Sequence, residues 1–149
     1  MTIDTPTTGR VDAGRHYLPL RVYFEDTDHT GIVYHANYLR FMERGRTETL
    51  RHAGVEHGTA ADDGLWAVHA MSIIWHRPAR IDDRLVVVTT VTRVRAAANE
   101  LHHAVRRGDD LLCSATVTVA FLAPDGRPQR QSRSWHDTFT QLCEAAKAG

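Results

Sequence analysis

Asp28 stands inside the run Glu25-Asp26-Thr27-Asp28-His29-Thr30-Gly31-Ile32-Val33-Tyr34-His35-Ala36-Asn37-Tyr38, which packs a carboxylate cluster, a glycine turn and the expected start of a helix into fourteen residues. The first N–H groups of a helix lack intrahelical partners and carry the positive end of its dipole, so that end stabilises negative charge. A carboxylate held across a tight loop from such donors is the equipment for attacking or hydrating an acyl carbonyl. The bland alternative is that Asp28 only shapes a turn, as aspartate often does. Glu25 and Asp26 suit solvated or turn-forming positions, from which their charges would raise the pKa of Asp28.

The flanking sequence has to position that acid. Leu18 to Phe24 is rich in β-branched and aromatic residues and predicts a short strand. Asn37 to Ala53 predicts a helix, with Tyr38, Phe41, Met42, Gly45 and Thr49 on one buried face. Gly45 costs about 1 kcal/mol of helix stability relative to Ala, which points to close approach of another backbone. Arg44/Glu48 and Glu43/Arg46 are spaced as exposed ion pairs. Gly54 suits a helix stop, and Val55 to Gly64 an irregular connection. Four extended segments follow, about Leu65–Trp75, Leu85–Arg93, Glu100–Arg107 and Leu111–Leu122. In the last, Leu111, Cys113, Ala115, Val117, Val119 and Phe121 share one face, with Leu112, Ser114, Thr116 and Thr118 opposite, as in a half-buried strand. Pro78 and Asp82-Asp83 suit a turn between the second and third strands of the chain, and Gly108-Asp109-Asp110 a hairpin. Trp135 to Lys147 suits a short terminal helix. One long helix followed by a four-strand meander, plus the first strand, predicts an α+β domain whose five-stranded antiparallel sheet wraps around that helix. The expected divisions are a flexible tail over 1–16, the folded domain over 17–135 and a helix or tail over 136–149. Apolar sheet surface left uncovered calls for a second copy.

A chain of 149 residues suits one domain with a single core. Eighteen basic residues balance eighteen acidic ones, which gives no reason to expect nucleic-acid binding. The ten histidines, most of them expected at the surface, would make the protein cationic near pH 6. Cys113 and Cys143 form no disulfide framework and read as reduced thiols. No apolar stretch reaches the roughly 18–20 residues of a membrane span, and the Thr-rich segment Met1 to Arg15 has no signal-peptide core. The cytoplasm is the default compartment.

Arg21-Val-Tyr-Phe-Glu-Asp-Thr-Asp-His-Thr-Gly-Ile-Val-Tyr-His35, Phe41-Met-Glu-Arg-Gly-Arg-Thr-Glu48 and Arg77-Pro-Ala-Arg-Ile-Asp-Asp83 together resemble the 4-hydroxybenzoyl-CoA thioesterase family of hotdog-fold hydrolases. The likeness is closest to the bacterial acyl-CoA thioesterases associated with the Tol-Pal envelope system, and it covers roughly Leu18 to Ala123. It implies that Asp28 is the catalytic carboxylate, as nucleophile or as general base. It also implies that Gly31 permits the turn, that the His35 N–H polarises the thioester carbonyl, and that Tyr34 and the His35 side chain face the site. The family pattern has small residues after the catalytic Asp, where this chain has His29 and Thr30; the departure bears on substrate preference. No cofactor is implied beyond coenzyme A as part of the substrate. The implied partners are acyl-CoA, or an acyl carrier protein, and further copies of the chain, with active sites at a dimer interface and dimers pairing into a tetramer.

Within that frame His35 either satisfies a loop carbonyl or orients water and moves a proton, while Tyr34 suits packing. Arg77, Arg80, Arg93 and Arg95 could meet the phosphates of coenzyme A, and Arg80 and Arg93 are the candidates retained. His102 and His103 alternate across a strand and cannot share an ion, and metal-ligand spacings are missing from the sequence. Gly-x-Ser-x-Gly is also missing, so no serine triad is offered. Two other readings are a non-hydrolytic module that binds acyl carrier protein or envelope partners, and a hotdog dehydratase, whose histidine-bearing motif His35-Ala36-Asn37 does not resemble.

Overall fold

A computed structural model describes residues 4–55 and 64–149. The connection expected over Val55 to Gly64 therefore lies, apart from its ends, outside the described residues. In chain order the elements are β1 (Arg10–Asp12), β2 (Arg15–Arg21), a 3-10 turn (Phe24–Asp26), α1 (Asn37–His52), β3 (Leu65–Trp75), β4 (Arg84–Val94), β5 (Ala98–Arg107), β6 (Asp110–Leu122) and α2 (Arg133–Ala148). The strands form one antiparallel sheet in the order β1-β2-β4-β5-β6-β3.

The helix α1 buries the face its periodicity predicts: Tyr38, Phe41, Met42, Gly45 and Thr49 are all inaccessible. Each of the large apolar side chains on that face stabilises the fold by about 1.5–3 kcal/mol on burial. Gly45 is where the sheet comes nearest. A Cβ there would stand 2.8 Å from Thr89 Oγ1 and 2.9 Å from Val87 Cγ1 of β4. Cys113 and Cys143 are buried free thiols, and burial pushes Cys113 up to about 12.

Five expectations need correction. The segment expected as a flexible tail contains β1 and the start of β2, joined through Ala13 and Gly14, both at positive φ. A two-strand ribbon at a sheet edge keeps polar, exposed residues, so its composition resembles that of a loop. The sheet accordingly has six strands instead of five. Second, the strands after α1 are not a simple meander, because β3 pairs with β6 at the far edge and β4 lies between β2 and β5. Residues 76–83 form an eight-residue crossover, longer than the two to five residues of a hairpin. Third, the strand expected to reach Phe24 ends at Arg21, and Phe24 opens the 3-10 turn.

Fourth, Leu112 is buried along with its neighbour Cys113. A bulge in β6 opposite Val105/Arg106 breaks the alternation there. Fifth, Arg46 points inward, where its Nη1 donates to His103 Nε2 at 3.2 Å, and Glu48 pairs with Arg51 at 3.1 Å. His103 Nδ1 must then carry the proton and donate to Thr89 Oγ1 at 3.0 Å. Of the histidines, His16 and His103 are buried. The terminal segment folds as α2, whose Ser132 Oγ caps it by accepting from the Trp135 N–H.

Candidate active site

The acid loop owes its shape to hydrogen bonds among its own residues. Asp26 closes the 3-10 turn by accepting the Tyr23 N–H at 2.8 Å on its carboxylate. Its carbonyl oxygen takes the N–H of Tyr34 at 2.9 Å and Nδ2 of Asn37 at 2.8 Å. Asp26 is thus a structural residue that ties the strand's end to the helix start. Asp28 comes next around a tight turn. Its N–H donates to Ile32 O, its carbonyl accepts from the Gly31 N–H, and Gly31 turns at φ +86° with open space around its Cα. Glycine reaches that left-handed region without a Cβ clash.

The Asp28 carboxylate accepts hydrogen bonds at Oδ1 from the Thr30 hydroxyl and from the Thr30 N–H, the latter at 2.8 Å. Those two donors hold its carboxyl below the usual carboxylate range. The upward push expected from Glu25 and Asp26 is overturned, because Thr30 donates directly to the anion. Asp28 is therefore ionised at neutral pH, as a base or nucleophile has to be. Thr30 acts here by a spacing legible in the sequence: a threonine two residues after an aspartate is placed to close such a turn.

Beyond Gly31 the chain is gripped from both sides. Thr27 bridges Val33, Ile32 bridges Arg80, and the Val33 N–H donates to Ala79 O at 2.9 Å. The 76–83 crossover is in turn fastened to the helix, since the Ala79 N–H donates to the Tyr38 hydroxyl at 3.1 Å. At the start of α1 the Tyr34 carbonyl accepts the Asn37 N–H at 2.8 Å, and the His35 carbonyl accepts Nε1–H of Trp75 at 3.0 Å. Among the described residues the N–H groups of His35 and Ala36 have no hydrogen-bond partner, and no side chain caps α1. They are the free donors that this helix end was expected to offer.

Two clefts flank the gripped segment. One, of about 390 Å³, is lined by Phe24, Thr27, Asp28, His29, Gly31 and Ile81. The other, of about 300 Å³, is lined by Ile32, Val33, His35, Tyr38, Trp75, His76, Arg77 and Pro78. Asp28, Gly31 and His35 are thus brought to neighbouring clefts on one short stretch of chain. The Tyr34 ring lies exposed, tilted against the His35 imidazole at 4.6 Å between centroids. Arg80 is beside Ile32, its own N–H held by Asp83 Oδ2 at 2.9 Å. Arg93 sits near the other end of β4, roughly 30 Å of strand away from the crossover. Sequence reading missed Trp75, Phe24 and Ile81. Phe24 (82% exposed) and Ile81 (44%) carry apolar surface in the open beside the acid; no spacing rule marks such residues. Among the described residues, no three of His, Cys, Asp and Glu gather as a metal site.

The thioesterase superfamily model matches residues 30–114. The acyl-CoA thioester hydrolase YbgC of Escherichia coli is 38% identical over 108 residues, which is 71% of this chain and 81% of that protein. The acyl-CoA thioesterase YbgC of Haemophilus influenzae is 41% identical over 105 residues, 69% of this chain and 77% of its own length. Among solved structures, the "Probable Thioesterase" of Bartonella henselae superposes with a TM-score of 0.74 at 36% identity, covering 79% of this chain and 99% of that one.

Proposed function

This chain belongs to the thioesterase superfamily and is a hotdog-fold thioesterase, and from that premise we propose that it hydrolyses acyl-CoA through Asp28 and the helix start at His35. The observation that carries the reading is the pairing of an ionised carboxylate with an unengaged main-chain donor, at opposite ends of a segment fixed by bridges to the crossover. The substrate carbonyl oxygen accepts the His35 N–H, which stabilises the negative charge that develops as the carbon is attacked. By one route Asp28 takes a proton from water while the water oxygen bonds to the acyl carbon. The tetrahedral intermediate then expels the thiolate of coenzyme A, which recovers a proton, leaving the free acid. By the other route an Asp28 oxygen bonds to the carbon and displaces the thiolate, and water then hydrolyses the mixed anhydride. A thioester is already activated, so neither route calls on a further cofactor.

Arg80, exposed beside Ile32, is the residue placed to meet a phosphate of coenzyme A. The substrate class is short-chain or aromatic acyl-CoA, with acyl carrier protein as an alternative carrier. A homo-oligomer completes the reading. β3 is an edge strand that exposes Leu65, Val68, Ile74 and Trp75, apolar surface that a second copy would cover.

The test is thiol release from a panel of short, long and aromatic acyl-CoAs. The wild-type protein should cleave at least one class, and Asp28→Asn should cut its turnover by about 10²–10⁴ with the circular dichroism spectrum unchanged. Near-full activity of Asp28→Asn on every substrate that the wild type cleaves would remove Asp28 from the mechanism.

A further inference from the structure

We infer that Trp75 is a positioning residue for the thioester reaction: its indole N–H fixes the peptide that follows His35, and thereby aims the His35 N–H at the substrate carbonyl. The inference rests on the reading of His35 as the carbonyl donor.

A peptide N–H can be aimed only if the planes on both sides of its Cα are held. The plane before His35 is held by its Tyr34 carbonyl, which accepts from the Asn37 N–H at 2.8 Å, and the Tyr34 N–H is itself bound to Asp26 O at 2.9 Å. Both ties belong to the loop and helix start, and would move with them. The plane after His35 is held by its carbonyl oxygen, which accepts the Trp75 indole N–H at 3.0 Å across forty positions of chain. Trp75 is the last residue of β3, so this tie fastens the helix start to the sheet. The indole also meets the His35 imidazole edge-on at 5.8 Å between centroids, which limits rotation of the same residue. With three neighbouring main-chain groups engaged, the His35 N–H is left pointing without a partner among the described residues.

The same indole forms one wall of the 300 Å³ cleft beside His35, together with Ile32, Val33, Tyr38 and Pro78. A dry cavity of about 150 Å³ is enough to hold benzene, so this cleft takes a compact acyl group. An acyl group seated there would lie against the ring that aims the donor. Trp75 has reason to be tryptophan on two counts, therefore: a flat apolar surface and a single N–H. Phenylalanine keeps the first and lacks the second.

The experiment compares wild type, Asp28→Asn, Trp75→Phe and Trp75→Ala by thiol release, and follows the His35 amide and the Trp75 indole in ¹⁵N–¹H spectra. Spectra are recorded with and without the ketone analogue (sulfur replaced by methylene) of the acyl-CoA cleaved fastest. Trp75→Phe should lose about 10–100-fold in kcat, the scale of a donor misplaced by about 1 Å, with KM within about twofold of wild type and an unchanged Tm. Trp75→Ala should lose kcat similarly and raise KM as well, because the wall goes too. In wild type the analogue should shift the His35 amide and the Trp75 indole together. Wild-type kcat in Trp75→Phe, or a His35 shift that leaves the indole unmoved, overturns the inference while Asp28→Asn inactivity keeps the thioesterase reading. Should Trp75→Phe not fold, the wild-type spectra decide alone. If the wild type cleaves no acyl-CoA, or Asp28→Asn cleaves as well as wild type, the mechanism fails first and the inference falls with it.

Discussion

The two ends of α1 are built in opposite ways. At its C-terminal end every chain reversal is closed. The N–H of Gly54 donates to Arg51 O and that of Val55 to Leu50 O, both at 3.0 Å, while Gly54 turns at φ +87° and Val55 is buried. That is the left-handed stop which satisfies the last carbonyls of a helix, and Arg51 adds positive charge beside the negative dipole end. At the N-terminal end no side chain caps the helix and no acidic residue occupies its first turn. A cap such as the Ser132 hydroxyl at α2 is worth about 1 kcal/mol, and α1 does without it. The end that closes the fold satisfies its own polar groups; the end that the proposed mechanism turns toward the substrate leaves donors open.

The largest effect expected from this contrast is on turnover alone. Asp28→Asn, which keeps an acceptor for Thr30, should lower kcat by about 10²–10⁴ while shifting Tm by less than 2 °C by differential scanning calorimetry. A fall in Tm of many degrees would recast Asp28 as a structural residue. A sharper comparison uses the two glycines on either side of α1. Gly31 and Gly54 both turn at positive φ with open space around them, so Ala at either should cost about 1–2 kcal/mol of backbone strain in urea unfolding. Only Gly31→Ala should also lose turnover, because it distorts the loop that carries Asp28. Equal activity in both variants would break the distinction between the two ends.

The buried middle of α1 should show itself as a pH effect on stability. Burial pushes His103 well below its ordinary 6.5, and the Arg46 charge pushes the same way. Between the lowered folded value and about 6.5 the unfolded chain binds a proton that the folded chain does not, so stability is present above 6.5 and lost as pH falls. The slope from one such proton is about 1.4 kcal/mol per pH unit. His16 and His102 are shifted in the same direction, chiefly by burial. Urea midpoints measured from pH 7 down to pH 5 should fall, and His103→Gln should flatten the fall; an unchanged slope in that variant would remove His103 as its source. The smallest effect belongs to Thr30. Thr30→Val removes the hydroxyl donor that does most to hold the Asp28 carboxyl low. Its pKa should rise, moving the acid limb of the pH–kcat/KM profile to higher pH with little change at neutrality. An acid limb that stays in place would show that another group governs it.

Local pattern was enough for much of this protein. The spacing of Tyr38, Phe41, Met42, Gly45 and Thr49 marked the buried face of α1, and the glycine after Asp28 marked the turn, because helix period and backbone sterics act over a few residues. The runs Arg21 to His35, Phe41 to Glu48 and Arg77 to Asp83 carried the likeness to thioesterases; the family match over residues 30–114 contains the last two and the end of the first. What only the tertiary structure decided depends on pairings between distant segments. The crossover that places β3 beside β6, the inward turn of Arg46 toward His103 and the Trp75 tie to His35 each join residues at least 38 positions apart in chain. Their energies come from whole surfaces meeting, and no short window of residues contains both partners. Arg93 shows the same in another way: only the length of β4 fixes its place, roughly 30 Å of strand from the crossover.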